Sequence, residues 1–310
     1  MIRACSKKVS FRLSENLNST ISKLQISTMS NPLVAVCQMT STSDKNKNFE
    51  VVSSLVAEAK QRNACIAFLP EACDYLADNK ADAVSMAEPL DGCIVQRYKD
   101  LALKENIWLS IGGVHEAMPD KAKVQNAHLI INNKGEIVSV YRKIHLFDMD
   151  NKDTGVRLME SDYVRKGCEI VEPISSPVGK IGLSICYDMR FPELSICLRN
   201  MGAQILTYPS AFTYQTGAAH WEILLRARAI ENQCYVIAAA QVGTHNKKRV
   251  SWGHAMIIDP WGTVIAQCGE RRGIAVAEID LNMLEKVRRN MPNEEHRRTD
   301  LYPSMFPVCS

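Results

Sequence analysis

The sequence lacks the motifs that identify zinc sites and membrane spans. Its 310 residues include eleven cysteines and seven histidines, but no C-x-x-C or H-E-x-x-H motif occurs. No apolar stretch approaches the roughly 18 residues that a membrane-spanning helix needs. The cysteine number is odd and no secretory signal precedes the cysteines, which favours a reducing compartment over a disulfide framework. We therefore predict no metal, no cofactor and no membrane contact.

Most of the chain also lacks an excess of positive or negative charge. The net charge is +3, and residues 1–30 alone contain five Lys or Arg residues against Glu15. The rest of the chain is therefore close to neutral, and it offers no broad positive surface for nucleic acid. Nucleic acid is not a predicted partner.

Residues 1–30 differ in composition from the rest of the chain. They are basic and rich in serine, and their larger aliphatic side chains fall at helical spacing on one face: Leu13, Leu17, Ile21 and Leu24. This composition predicts a mitochondrial transit peptide, with a disordered tail as the alternative. A product that starts at Met29 would lose this leader and stay in the cytoplasm. We therefore expect a mitochondrial and a cytoplasmic form.

Strands and helices alternate from Leu33 onward, which predicts an α/β fold. Apolar strands such as LVAVCQM and CIAFLPE are separated by helical segments, and NNKG marks the turn of a hairpin. Residues 148–177 are predicted to be a long loop. No linker divides the remainder, so residues 31–310 are predicted to form a single domain.

The segment SICYDMRFPE, residues 184–193, places a cysteine where an apolar strand ends. Pro192 can open a helix, so Cys186 is predicted to lie on a strand-to-helix turn. Such a turn presents its side chain at the carboxyl edge of a sheet, where open α/β folds bind ligands. Taken alone, a free cysteine is more often core filler.

Two further strands end in reactive side chains. CIAFLPE ends on Glu71 and IVSVYRK ends on Lys143. A carboxylate can take the proton of an attacking thiol, and an ammonium group favours the thiolate and stabilises an oxyanion. Together with Cys186, these residues predict a cysteine nucleophile with its own base and electrophile.

LPE with Glu71, YRKIHLFD with Lys143 and CYDMRFPE with Cys186 resemble the Glu-Lys-Cys signature of the nitrilase superfamily of carbon-nitrogen hydrolases. The resemblance runs from about Pro32 to the C-terminus. It implies a single-domain α-β-β-α sandwich that forms four layers by pairing in a homodimer. It also implies a thioester mechanism and a second glutamate after the lysine, for which Glu160 in RLMESD matches best.

The resemblance assigns roles to these residues. Glu71 would be the proton acceptor, Lys143 and the backbone N–H of Tyr187 would hold the oxyanion, and Glu160 would orient Lys143 or the attacking water. The predicted substrate contacts are Tyr187, Asp188, Arg190 and Phe212. For Asp188 and Arg190, a buried ion pair that fixes the turn is an equal alternative.

The motifs CIAFLPEACDY, ILTYPSAF and YVIAAAQ are similar to those of one branch of the superfamily. This resemblance implies a substrate in which an α-keto acid is joined through an amide bond to a Cys-Gly dipeptide. The sister ω-amidases of that branch, in which glycine replaces Ser210, act on α-ketoglutaramate and provide the main alternative. Some animal members carry a fused histidine-triad domain. Because no H-x-H-x-H motif occurs here, we expect a stand-alone enzyme or a histidine-triad partner in trans.

Three further classes remain as alternatives. A nitrile hydrolase would use the same residues on a different bond. A cysteine protease would pair Cys186 with a histidine, either His145 or His220. A non-catalytic interaction protein would keep the scaffold without the chemistry.

Overall fold

The computed structural model describes residues 31–153 and 156–301. The first half of the described chain contains the strands β1 (Leu33–Met39), β2 (Ala64–Leu69), β3 (Trp108–Ala117), β4 (Val124–Ile131), β5 (Ile137–Arg142), β6 (Asp148–Asn151) and β7 (Val156–Met159). The second half contains β8 (Ile174–Ser176), β9 (Gly179–Gly182), β10 (Ile205–Thr207), β11 (Tyr235–Ala238), β12 (Ala240–Asn246), β13 (Arg249–Trp252), β14 (Met256–Ile258), β15 (Val264–Gln267) and β16 (Gly273–Glu278). The leader predicted for residues 1–30 lies outside these ranges.

The helices are α1 (Lys45–Gln61), α2 (Lys80–Ser85), α3 (Cys93–Glu105), α4 (Pro192–Asn200), α5 (Tyr214–Asn232) and α6 (Leu281–Asn290). Two 3-10 helices span Glu160–Asp162 and Cys186–Arg190. Local sequence explains several helix ends. The Asp44 side chain accepts the N–H groups of Asn46 and Lys47 at the start of α1, and Pro192 opens α4. None of the helices in these ranges is long and apolar enough to cross a membrane.

Most strands belong to two sheets. The first has the order β13-β12-β1-β2-β3-β4-β5, and β16 also pairs with β1. Within it, β1, β2 and β3 run parallel, while β3, β4 and β5 are antiparallel. The second has the order β15-β14-β11-β10-β9-β8, with β9, β10 and β11 parallel. Strands β6 and β7 pair with each other as a separate antiparallel hairpin.

The two sheets pack face to face and carry helices on their outer sides. Residues of the first sheet such as Val36 and Phe68 share a buried cluster with Leu206 and Val236 of the second. The opposite face of the first sheet is buried against α1 and α3, while α4 and α5 pack on the second sheet. This arrangement confirms the predicted α-β-β-α sandwich.

Parts of the secondary structure differ from the prediction. The segment predicted as a loop, residues 148–177, contains β6, β7, a 3-10 helix and β8. Strand β6 reads DMDN and lacks the alternation of apolar and polar residues that identifies a half-buried strand. Helix α6 is not among the predicted elements, although Leu281, Leu284 and Val287 fall at helical spacing after the N-cap Asp280.

Candidate active site

Glu71 lies directly after β2 and Pro70, and its side chain is buried, with 6% of the residue exposed. One carboxylate oxygen accepts hydrogen bonds from the Asn126 amide at 2.9 Å and the Lys143 ammonium at 3.0 Å. The other accepts the backbone N–H of Ala211 at 2.9 Å. These three donors hold the carboxylate in one orientation and stabilise its ionised form.

Lys143 follows β5 and is 2% exposed. Its ammonium lies 3.0 Å from Glu71 Oε1 and 2.9 Å from Glu160 Oε2. The same oxygen of Glu160 accepts the backbone N–H of Phe147 at 2.7 Å. Lys143 is therefore held between two carboxylates. Glu160 therefore lies where it can orient Lys143, which is one of the two roles predicted for it.

Cys186 lies on the predicted turn between a strand and a helix. It is buried, and its φ of 48° is in the left-handed region that residues other than glycine rarely adopt. Its backbone N–H donates to the carbonyl of Pro209 at 3.0 Å, and its thiol lies close enough to the Glu71 carboxylate to feel its charge. The residue opens the 3-10 helix Cys186–Arg190, so the thiol is presented at the end of the second sheet.

The protonation states follow from burial and the neighbouring charges. Burial disfavours the charged form of Glu71, but the positive charges and hydrogen-bond donors around the carboxylate, Lys143 first among them, together outweigh this effect and lower its pKa. Burial likewise disfavours the charged form of Lys143, yet Glu160 and Glu71 raise its pKa. Burial and then the charge of Glu71 raise the pKa of the Cys186 thiol, against the opposing effect of Lys143. The resting site therefore combines an ionised base with a protonated nucleophile.

Asp188 supports the turn from behind. Its carboxylate is fully buried, and it accepts the Tyr141 hydroxyl at 2.7 Å and the backbone N–H of Ile185 at 2.8 Å. His145 Nδ1 lies 2.8 Å from the other oxygen. The prediction of a buried ion pair between Asp188 and Arg190 is therefore wrong in its partner. Tyr141, the Ile185 N–H and His145 hold the Asp188 carboxylate instead. The side chain of Asp188 is not part of the lining of the cavity described next.

A cavity of about 900 Å³ brings the predicted residues together. Its lining includes Glu71, Lys143, Glu160 and Cys186, and also the predicted substrate contacts Tyr187, Arg190 and Phe212. The Arg190 guanidinium lies over the rings of Tyr187 and Phe212, at 5.8 and 5.6 Å from their centroids. The wall beside the nucleophile therefore combines a cation with two aromatic faces. In the described ranges, no group of three or more His, Cys, Asp or Glu side chains is arranged to hold a metal.

Sequence reasoning missed Asn126 and the glycine pair in β3. Asn126 Nδ2 donates to Glu71 from β4, which β3 separates from β2 in the first sheet. A Cβ at Gly112 would lie 2.0 Å from the Pro209 side chain, and Gly113 has a φ of 89°. Two successive glycines inside a strand are a signal of close backbone approach and of a bulge, which the pairing of β3 with β4 shows at this point.

The two histidines proposed for a cysteine protease have other partners. His145 contacts Asp188 and stacks on the ring of Phe191 at 3.7 Å. His220 lies 3.3 Å from the Arg190 guanidinium. The charged groups that act on the Cys186 thiol are instead Glu71 and Lys143. The geometry therefore favours a carboxylate as the base.

Comparison with known proteins identifies the family. The sequence pattern of the carbon-nitrogen hydrolase family matches residues 33–289, so the chain belongs to this family of hydrolases. It is 52% identical to human deaminated glutathione amidase over 277 residues, which cover 88% of this chain and 84% of that protein. It is also 54% identical to the nitrilase and fragile histidine triad fusion protein NitFhit of Drosophila melanogaster, over 87% of this chain and 58% of that protein.

Solved structures agree with this assignment. The crystal structure of Caenorhabditis elegans NitFhit superimposes with a TM-score of 0.84 and 50% identity, covering 88% of this chain and 66% of that one. The crystal structure of Saccharomyces cerevisiae Nit3, a member of branch 10 of the nitrilase superfamily, superimposes with a TM-score of 0.77 and 31% identity. The match covers 87% of this chain and 97% of that one. The chain is a nitrilase-superfamily hydrolase of carbon-nitrogen bonds other than peptide bonds.

Proposed function

We propose that this protein hydrolyses the amide bond of deaminated glutathione, releasing 2-oxoglutarate and Cys-Gly. The chemistry rests on one observation, the Glu71 carboxylate that holds the Lys143 ammonium at 3.0 Å in the same cavity as the Cys186 thiol. The substrate rests on relatives named deaminated glutathione amidase, including the rat and human proteins at 52% identity.

The first half of the reaction forms a thioester. Cys186 attacks the amide carbonyl while Glu71 takes its proton, which is necessary because the thiol is protonated at rest. Lys143 and the backbone N–H of Tyr187 stabilise the oxyanion. Glu71 then returns the proton to the nitrogen, and Cys-Gly leaves as an amine.

The second half hydrolyses the thioester. Glu71, again ionised, takes a proton from a water molecule that attacks the acyl carbonyl. The tetrahedral intermediate collapses with loss of the Cys186 sulfur, which recovers the proton from Glu71. Glu160 acts through Lys143, because its carboxylate holds the ammonium in place throughout.

The test compares three substrates and looks for the covalent intermediate. We expect kcat/KM to be higher for deaminated glutathione than for α-ketoglutaramate, with intact glutathione a poor substrate. Mass spectrometry of quenched reactions should find the same acyl group on Cys186 with either keto acid amide. A higher kcat/KM for α-ketoglutaramate would assign the protein to the ω-amidases. Efficient cleavage of glutathione would contradict both assignments, and preferential ammonia release from nitriles would indicate a nitrile hydrolase.

We also propose that the protein is a homodimer. Helix α5 exposes Ile223 and Ile230, and Trp261 on the nearby turn is exposed too. An apolar group of this kind on an outer helix suits burial against a second copy. Light scattering should give twice the chain mass, and Ile223→Asp should shift the protein toward monomer. A monomeric wild type would contradict the proposal.

The partner and localisation proposals rest on sequence. In the NitFhit relatives, a nitrilase is joined to a fragile histidine triad protein, so we propose a histidine-triad protein as a partner in trans. Co-purification of such a protein with the full chain would support this. We further propose a mitochondrial form that uses residues 1–30 and a cytoplasmic form that starts at Met29.

A further inference from the structure

The cavity carries more positive than negative side chains. Glu71, Asp78 and Glu160 supply its carboxylates, whereas six cations line it: Lys80, Lys143, Arg157, Arg190, Lys248 and Arg249. Some of this charge is already neutralised. Lys143 contacts two of the carboxylates, and Lys80 is paired with Asp162 outside the lining. The remaining positive charge suits an anionic ligand.

Arg249 and Arg190 are the two half-buried arginines of the cavity, and Arg249 lies on a fixed turn. Arg249 opens β13 and is half-buried, whereas Arg157 and Lys248 are exposed. The Asn246 side chain accepts the backbone N–H groups of Lys248 and Arg249 at 3.0 Å each, which fixes the turn that presents the arginine. Within residues 31–153 and 156–301, no carboxylate forms an ion pair with its guanidinium. A half-buried guanidinium of this kind is well placed to receive a carboxylate from a ligand.

Arg249 and Arg190 belong to different walls of the cavity. Arg190 extends from the nucleophile's own 3-10 helix and lies over Tyr187 and Phe212. Arg249 comes from the β12–β13 hairpin of the first sheet, and its charge helps to lower the pKa of Glu71. In the proposed reaction, Glu71 gives its proton to the leaving nitrogen. The leaving group therefore departs on the side of Glu71, which lines the same cavity as Arg249 and is close enough for its charge to act on the carboxylate.

We propose that Arg249 binds the terminal carboxylate of the leaving dipeptide and so determines the preference for long substrates. This inference rests on the proposed function. Deaminated glutathione carries one carboxylate on its acyl part and a second at the end of Cys-Gly, whereas α-ketoglutaramate lacks the second. Two extended residues span up to about 7 Å from the scissile nitrogen. A 900 Å³ cavity is large enough for this extension, since pockets of about 300–1,000 Å³ hold drug-sized ligands.

The test is Arg249→Gln, assayed with deaminated glutathione, its C-terminal carboxamide and α-ketoglutaramate. Loss of a charge-assisted bidentate contact should lower kcat/KM for deaminated glutathione about 10–100-fold, mainly through KM. Activity on α-ketoglutaramate should change less than about 2-fold. In the wild type, kcat/KM for the C-terminal carboxamide should be lower than that for deaminated glutathione by a similar factor. Arg249→Gln should not lower kcat/KM for the carboxamide any further. Arg249→Lys should restore part of the activity, because it keeps the charge without the planar fork.

Lys247→Gln is the matched control, because Lys247 is exposed on the same turn and is not part of the lining. Lys247→Gln should leave kcat/KM unchanged for all three substrates. Equal losses on all substrates in Arg249→Gln, or no loss on any, would overturn the proposal.

A binding measurement separates this proposal from the proposed function. The dipeptide Ala-Gly at millimolar concentration should slow alkylation of Cys186 by iodoacetamide in the wild type but not in Arg249→Gln. Ala-Gly carboxamide should protect neither protein. If the wild type fails to cleave deaminated glutathione but shows this protection, the proposed function is wrong and the carboxylate site stands. Equal protection of both proteins, or of neither, would refute the site.

Discussion

Replacing Lys143 with methionine removes the ammonium that separates Glu71 from Glu160. The three side chains are almost completely buried, with contacts of 2.9–3.0 Å between the ammonium and the two carboxylates. Loss of one partner from a buried ion pair costs about 3–5 kcal/mol, because an uncompensated charge remains. For a domain of this size we expect Tm to fall by about 5–15 °C at neutral pH. Turnover should fall by more than about 100-fold, the effect of losing one oxyanion donor.

The stability loss should depend on pH. In the wild type the pKa of Glu71 is lowered, so its contribution to stability is present above the unfolded pKa of about 4.3 and is lost as pH falls through the folded value. In Lys143→Met the carboxylate of Glu71 stays buried beside that of Glu160 without the ammonium that lowers its pKa, so the pKa of Glu71 rises and the group becomes protonated at higher pH. The difference in Tm between wild type and variant should therefore be largest near pH 7.5 and smaller near pH 5.

Scanning calorimetry at these two pH values tests the argument. Adding Glu160→Gln to Lys143→Met should recover part of the lost Tm, because it removes one of the two charges while the amide oxygen can still accept the Phe147 N–H. An equal difference in Tm at both pH values, with no recovery in the double variant, would show that Lys143 contributes packing rather than charge. Unchanged turnover in Lys143→Met would refute its role at the oxyanion.

Three further predictions concern the nucleophile and the leader. Cys186→Ala should abolish hydrolysis, whereas Cys65→Ala and Cys234→Ala should lower stability by about 1–2 kcal/mol and keep kcat/KM; residual turnover in Cys186→Ala would contradict the assignment. Because burial and Glu71 raise the thiol pKa, alkylation of Cys186 by iodoacetamide should accelerate from pH 7 to pH 10, and a plateau below pH 9 would disagree. A fluorescent protein fused to residues 1–30 should enter mitochondria while the form starting at Met29 stays in the cytoplasm, and microscopy showing both in the cytoplasm would reject the transit peptide.

The sequence was informative where reactive residues end strands. Each of Glu71, Lys143 and Cys186 follows an apolar segment, which predicts that they meet at strand ends, although the structure takes Glu71 and Lys143 from the first sheet and Cys186 from the second. The supports of these residues were harder to find. Asn126 reaches Glu71 across the pairing of β3 with β4, and the carboxylate of Asp188 meets Tyr141 from a strand more than 40 residues earlier. Such contacts depend on register and on sheet packing, which single-strand patterns do not contain.

The arrangement of charges explains why one lysine contacts two carboxylates. At rest the site holds ionised Glu71 and Glu160, protonated Lys143 and a neutral thiol. In the proposed mechanism, Glu71 becomes neutral as it takes the thiol proton, and a negative charge appears on the substrate oxygen. The net charge of the site stays constant, since the charge moves from Glu71 to the oxyanion beside the same ammonium. Glu160 remains ionised throughout, so its contact keeps Lys143 in position when Glu71 no longer attracts it.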